Sequence, residues 1–493
     1  MTRPPFMFRR GAALSVAAAV LVVLAGCADM SGIASQAKLR DADSLGLKGA
    51  PFSTGTSEVD ARWWLGFGDA QLDALVDEAL AGSPNIAVAR ARLSRAQAAI
   101  ATAESADRPQ LNGSLDATRQ KFSSNYIYPA PLAGSIQEVG TLQLNGSWEI
   151  DFFGKNRAAL DSALGSSNAA AAEVDAARIL LASNVARGYI QWARLNDQLA
   201  VAKRTLAQRD ETLQLVRDRV SAGLDTRLEL RQSEGGLPEA RQQIEALDEQ
   251  IAIARHALDA LVARPDATKA LNPPSLASLH AVALQPTIPA DLLGRRADIA
   301  AARWRVEAAT GDVAGAKTLF YPNVNLTAFV GVQSLGLDNL LKSDSAQWGV
   351  GPAIRLPIFE GGRLRANLRG KTADLDAAIE SYNASVLDAV RDAADQVSST
   401  QSVARQQAQQ REAQAAAEGA YDIAVQRYRA GLGNYLNVLT AESTVLAQRR
   451  QAVDLAARAL EAQVGLARAL GGGWQPPVAV AAAGSAGSTG ATH

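Results

Sequence analysis

Three histidines and one cysteine are all that 493 residues offer to imidazole or thiolate chemistry. His256 falls in a long periodic stretch, His280 in a linker and His493 at the terminus, with no ligand spacing such as His-Glu-x-x-His. Cys27 has no second cysteine for an intrachain disulfide or a thiolate zinc site. Asp and Glu number 50, but they alternate with arginine along long stretches, the pattern of a solvated helix face. GDVAGAK (311–317) and GGGW (471–474) lack the Gly-Lys-Ser/Thr of a phosphate loop, and no nucleophile–base pair stands out. The expectation is no enzymatic activity, no metal and no cofactor. A net charge of −1 argues against nucleic acid, which wants a basic face.

Cys27 has another chemistry in prospect. Arg3, Arg9 and Arg10 precede an apolar run, Gly11 to Gly26, which ends in small residues as a secretory signal does. The run is short for a membrane span of ~20 residues. Leu24-Ala25-Gly26-Cys27 resembles a bacterial lipobox, which implies cleavage before Cys27 and acylation of its sulfur and new amino group. Several acyl chains, at ~0.8 kcal/mol per buried CH2, anchor firmly where one is marginal. Ala28, where an aspartate would favour inner-membrane retention, points by analogy to the outer membrane. An ordinary signal peptide with a chance cysteine is the plain alternative.

The elements that would position such a protein are written twice. NIAVARARL (85–93) parallels DIAAARWRV (298–306), and RPQLN (108–112) parallels YPNVN (321–325). DFFGKNR (151–157) parallels PIFEGGR (357–363), and RVSAGLDTRLELRQSE (219–234) parallels RYRAGLGNYLNVLTAE (427–442). Order is kept and the offset drifts only slightly, so most of the chain is a tandem duplication. Each half reads helix, strand, strand, very long helix, turn, return helix. Leu142, Leu144, Gly146, Trp148 and Ile150 alternate strictly with polar residues, a period of two. The alternation predicts strands over 109–121, 140–151, 322–333 and 346–358, with Pro352 marking an edge or a strand end.

Between Pro131 and Pro238, and again between Pro357 and Pro476, there is no proline, and Ala, Arg, Gln and Glu dominate. The pattern predicts helices over 157–222 and 363–430, rods on the order of 100 Å. Each stops at Ala-Gly-Leu, with Gly223 or Gly431 as the residue that ends the helix in the left-handed conformation. Return helices follow over 226–263 and 434–470, and Pro238 should kink or break the first. Beyond 470 the Ala-, Gly- and Ser-rich tail reads as disordered.

Strands of roughly ten residues suit a tilted membrane barrel, but the smallest barrels need ~8 strands. Four per chain cannot close alone. Two chains would fill the lumen with side chains, whereas three would make twelve strands around an open bore lined by Gln143, Asn145, Glu149, Asn325 and Arg355. A soluble sandwich and a plain coiled-coil stalk are the bland alternatives. Soluble sandwiches rarely carry such helices, and the Leu/Ile heptads of a stalk are sparse.

At this point the chain resembles the TolC-like outer-membrane factors, in the lipoprotein (NodT-type) branch serving resistance-nodulation-division efflux. The motifs are RWWLGFGDAQLDALVDEAL (62–80), WEIDFFGKNR (148–157), LLGRRADIAAAR (292–303), KTLFYPNVNL (317–326), LPIFEGGRLRANL (356–368) and ALGGGW (469–474), with the tip segment 427–442. The resemblance implies an α+β membrane protein. Four strands per chain would join a trimeric twelve-strand transmembrane β-barrel, and the long helices a periplasmic α-barrel. Its parts would be a signal peptide 1–26, an anchor and equatorial segment 27–83, repeats 84–263 and 291–470, an equatorial linker 264–290 and the tail 471–493. The implied function is a passive, gated exit duct for drugs or other toxic compounds, working with a periplasmic adaptor and an inner-membrane transporter. A type I secretion duct and a structural envelope lipoprotein are the rivals. Arg296-Ala297-Asp298 stands where the family has Arg-Pro-Asp, which leaves the start of that helix open. At the tip, Asn437 and Thr440 occupy positions where relatives often carry inward aspartates, which implies a neutral constriction. Tyr428 and Glu229 match a tyrosine–acid lock, and Gly433 replaces the arginine of a second link, which implies a tip closed by fewer polar contacts.

Overall fold

The computed structural model describes residues 30–40, 59–282, 284 and 292–475. The signal segment, Cys27 and residues 476–493 lie outside that range. Eleven main elements follow in order: α1 (Ala70–Gly82), α2 (Pro84–Ser105), β1 (Gln110–Lys121), β2 (Ile136–Ile150), α3 (Lys155–Ser221), α4 (Arg227–Val262), α5 (Ala297–Thr318), β3 (Asn323–Leu335), β4 (Ala346–Arg355), α6 (Arg363–Arg429) and α7 (Tyr435–Ala469). The run α2-β1-β2-α3-α4 is repeated as α5-β3-β4-α6-α7, so the duplication in sequence is a duplication of structure.

Both long helices have 67 residues, which at ~1.5 Å per residue makes each about 100 Å. Both end in the same way. Gly223 and Gly431 take φ of +74° and +71°, where an L side chain would be strained. The amides of Leu224 and Leu432 reach back to the carbonyls of Arg219 and Arg427, closing Schellman turns. The return helices then open on side-chain caps: Thr226 accepts from the Leu228 amide, and Asn434 accepts from the Asn437 amide.

Of the kink or break expected at Pro238, the break does not occur: α4 runs on through it. Proline disturbs the carbonyls of the preceding turn. Leu237 and Ala240, on either side of Pro238 in the helix, are buried, so packing on the neighbouring helices keeps the turn helical. Strand limits also differ from expectation. β2 starts at Ile136 rather than 140, and β4 stops at Arg355 rather than 358. Pro352 sits inside β4 opposite Leu326, and β4 is the last strand of this chain's sheet, in the order β1-β2-β3-β4.

The described residues form two compact units. The first holds the sheet with parts of α2, α3, α5 and α6. There α3 and α5 approach closely: a Cβ on Gly165 would lie 2.8 Å from the Ala308 nitrogen, and one on Gly311 would lie 2.8 Å from that of Ser162. The segment from Met30 lies on α6. Met30 and Ile33 pack on Phe320, Leu364 and Leu368, while Asp376 accepts from Ser35 Oγ (2.5 Å) and from the amides of Gln36 and Ala37. In the second unit Trp63, Trp64, Phe67, Leu72 and Val76 pack against Tyr189, Trp192, Leu258 and Val464, joined by Ala267, Leu276 and Leu279 from the 264–282 stretch. Asp69 caps α1 and also accepts from the Tyr189 hydroxyl at 2.9 Å.

Candidate functional site

Antiparallel register sorts the side chains of the sheet onto two faces. One face carries Leu111, Leu115, Leu142, Leu144, Trp148, Val324, Leu326, Val330, Trp348, Val350 and Ile354. Much of it is open: Leu111 is 71% exposed, Trp348 77% and Ile354 70%. An apolar face of this extent needs a partner. The other face carries Asn112, Ser114, Asp116, Gln143, Asn145, Glu149, Asn325, Thr327, Gln347 and Arg355. Its amides are linked. Asn145 Nδ2 donates to Ser114 Oγ at 3.4 Å, Gln143 Nε2 to Asn145 Oδ1, and Gln347 Nε2 to Gln143 Oε1 at 3.3 Å. The last bond passes over Gly331, which lies between those glutamines in the register and whose Cβ would collide with the Leu142 carbonyl. Apolar residues on one face and polar residues on the other, with β1 and β4 as the end strands, are the ingredients of a membrane barrel wall with water inside. In lipid those end strands must be paired, and only closure achieves that.

The second constellation lies where α3 turns into α4 and α6 into α7. Val216, Tyr421, Tyr428, Tyr435, Val438 and Val445 form its core. Tyr428, 1% exposed, donates its hydroxyl to Asp225 Oδ2. Arg219 grips the same carboxylate with Nε (2.9 Å) and Nη2 (3.3 Å), and its guanidinium lies 4.6 Å from the Tyr428 ring centre. Burial pushes Asp225 up, but the bonds from Arg219 and Tyr428 prevail and hold it below the usual carboxylate range. Burial, and then the Asp225 bond, raise the Tyr428 hydroxyl.

The acidic partner expected from the sequence was Glu229, and the structure corrects it to Asp225. Glu229 is engaged locally: it accepts from the Thr226 amide at 2.9 Å and from the Thr226 hydroxyl, a capping box. Asn437 and Thr440 are exposed on α7, and Thr440 Oγ1 donates to the Leu436 carbonyl at 2.9 Å. Arg219 escaped the sequence reading. Only the turn at Gly223 brings it back onto Asp225, six positions on.

Between the four helices lie two further ion-pair groups that no spacing reveals. Arg449, 4% exposed, donates to both Glu418 oxygens (2.6 and 2.5 Å) and to Gln208 Oε1 (2.8 Å), joining α7, α6 and α3. Arg209 on α3 pairs with the buried Glu442 on α7 at 2.5 Å and with Glu239 on α4 at 2.9 Å. At the start of α5, Arg296 forks onto Asp298 (3.1 and 2.7 Å) and donates to the Ala469 carbonyl, so the helix begins at Ala297 without the family's proline. Among the described residues no cluster of His, Cys, Asp or Glu is placed to hold a metal, and no helix is long and apolar enough to cross a membrane.

Comparison with known proteins bears on the same features. Residues 75–264 and 288–472 match the outer membrane efflux protein family, one match per structural repeat. The chain is 31% identical over 468 residues to the putative multidrug resistance outer membrane protein MdtQ of Shigella flexneri, covering 92% of this chain and 97% of that one. It is 38% identical over 363 residues to the fusaric acid resistance protein FusA of Burkholderia cepacia, covering 72% and 68%. The crystal structure of the outer membrane protein VceC of Vibrio cholerae superposes with a TM-score of 0.79 at 36% identity, over 84% of this chain and 98% of that one. With two-faced strands, paired 100 Å helices and this match across both repeats, the chain belongs to the outer membrane efflux protein family and is an outer-membrane exit duct of an efflux system.

Proposed function

We propose that three copies of the chain close one duct. The observation that carries this is the four-stranded sheet with one apolar face, one polar face and end strands β1 and β4. Twelve strands enclose a water-filled bore, whereas eight leave a lumen just filled by side chains. The polar face then lines the bore, the apolar face meets lipid, and cargo moves passively, selected by size and by the lining. The long helices of the three chains form the periplasmic tunnel.

The turns at Gly223 and Gly431 are the docking end. Each presents two exposed leucines at the same spacing, Leu224 with Leu228 and Leu432 with Leu436. Such paired apolar knobs suit the helical hairpins of a periplasmic adaptor, which would join the duct to a resistance-nodulation-division transporter in the inner membrane. Cys27 would carry the covalent lipid. In support, Met30 and Ile33, a few residues on, pack beside Leu364 and Leu368, just past the end of the sheet, the level a lipid anchor needs. The names of relatives, for multidrug and fusaric acid resistance, support small toxic organic compounds as cargo.

Crosslinking and heat-modifiable electrophoresis of outer-membrane fractions test this reading. It requires a heat-sensitive species of three chain masses that shifts to one on boiling. A monomer in the soluble fraction would overturn it. Loss of radiolabelled palmitate in Cys27→Ser, with the unlabelled chain still secreted, checks the anchor.

A further inference from the structure

The geometry points to a cargo-binding site for planar aromatic carboxylates at the end of the sheet where α3 and α6 begin. The proposal rests on the exit-duct reading and names what the duct holds in transit. A cavity of about 230 Å³ opens there. That is smaller than the ~300–1,000 Å³ of drug-sized sites and suits a molecule of one or two rings.

Its lining combines two functions. Phe153, from the β2–α3 connection, and Tyr321, from the α5–β3 connection, stack face to face with centres 5.0 Å apart and planes 9° apart. Both rings keep open surface, 44% and 39%, so the stack can extend to a third ring. The charges of the lining are mostly spent on one another. Lys155 holds Glu149 at 2.9 Å and Arg363 holds Glu360 at 2.7 Å, while the Asp151 carboxylate keeps its charge and is turned onto the backbone N–H of Arg157 at 3.0 Å. Arg355 lines the same cavity, and among the described residues it has no ion-pair partner. A guanidinium free to fork onto a carboxylate, beside an aromatic platform, selects a flat anion over a neutral or cationic analogue.

Two features tie the cavity to transport. Glu149, Asn323 and Arg355 belong to the polar face by register, so that face runs straight into the cavity, and cargo following it passes Arg355. The site also occurs once per chain despite the duplication. Phe153 is matched by Phe359 in the second repeat, but the counterpart of Tyr321 is Arg108, which cannot rebuild the aromatic pair. One chain therefore contributes one site.

The test is titration of the detergent-solubilised full-length assembly with 1-naphthoate and its neutral analogue 1-naphthylmethanol. Wild type should bind naphthoate about tenfold more tightly than the alcohol. Arg355→Gln, at an exposed position without an ion pair, should abolish that preference, and Phe153→Leu should weaken both ligands. Equal binding of the two probes by wild type, no binding of either, or a preference that survives Arg355→Gln would overturn the site. Retention of the heat-sensitive oligomer by Arg355→Gln separates failure of the site from failure of the duct.

Discussion

The Tyr428 hydroxyl donates to Asp225 across 203 residues of chain, and it is the hydrogen bond that ties the end of α6 to the turn after α3. Both halves of the duplication meet at that bond, one supplying the phenol and the other the acid. Arg219 holds the acid in place from the preceding helix.

Tyr428→Phe removes this link and leaves a buried charge short of a donor. A lost hydrogen bond to a charged group weakens the local structure by about 1–3 kcal/mol. The expected result is an intact oligomer with raised conductance in planar bilayers. Unchanged conductance would show that the bond does not restrain the opening.

The same site sets a pH dependence. Because the folded Asp225 sits below its ordinary value of 3.8, its contribution is complete above that value and is lost only as pH falls through the lower folded one. Conductance should therefore be flat from pH 7 to pH 5 and should rise only below about pH 4. In Arg219→Gln, burial acts on Asp225 with less opposition, and the rise should move to higher pH.

Buried and exposed ion pairs should part company in stability. Arg449→Ala strands Glu418 between helices and should lower stability by about 3 kcal/mol, toward the low end of the range for a broken buried pair because Glu418 keeps 28% exposure. Arg231→Ala, whose side chain is 82% exposed, should change it by less than ~0.5 kcal/mol. Thermal melts followed by circular dichroism at the helical band compare the two directly.

The faces of the sheet can be told apart by one charge. Val350→Arg places a guanidinium in the middle of the apolar face and should disfavour assembly by ~2–4 kcal/mol. Gln347→Arg, three residues earlier on the polar face, should assemble normally. The amount of heat-modifiable oligomer in outer-membrane fractions reads both.

Much of this architecture is local and therefore legible along the chain. Period-two alternation marks all four strands and both faces, because consecutive side chains of a strand point to opposite sides. The two Ala-Gly-Leu turns mark the ends of α3 and α6, because only glycine adopts that backbone at little cost. The duplication is visible because related halves keep related motifs in order. Pro238 does not end its helix for a complementary reason: its cost is local, while the packing that buries Leu237 and Ala240 comes from other helices.

What no stretch of sequence contains is the pairing of distant charges. The choice of Asp225 over Glu229, the burial of Arg449 with Glu418, and the meeting of Phe153 with Tyr321 each join residues that are adjacent only after the helices pack. Spacing along a chain ranks near neighbours, whereas hydrogen bonds and stacking act over a few ångströms in space. Periodicity is thus enough to build the wall of the duct, and packing alone selects the side chains that restrain its opening and line its passage.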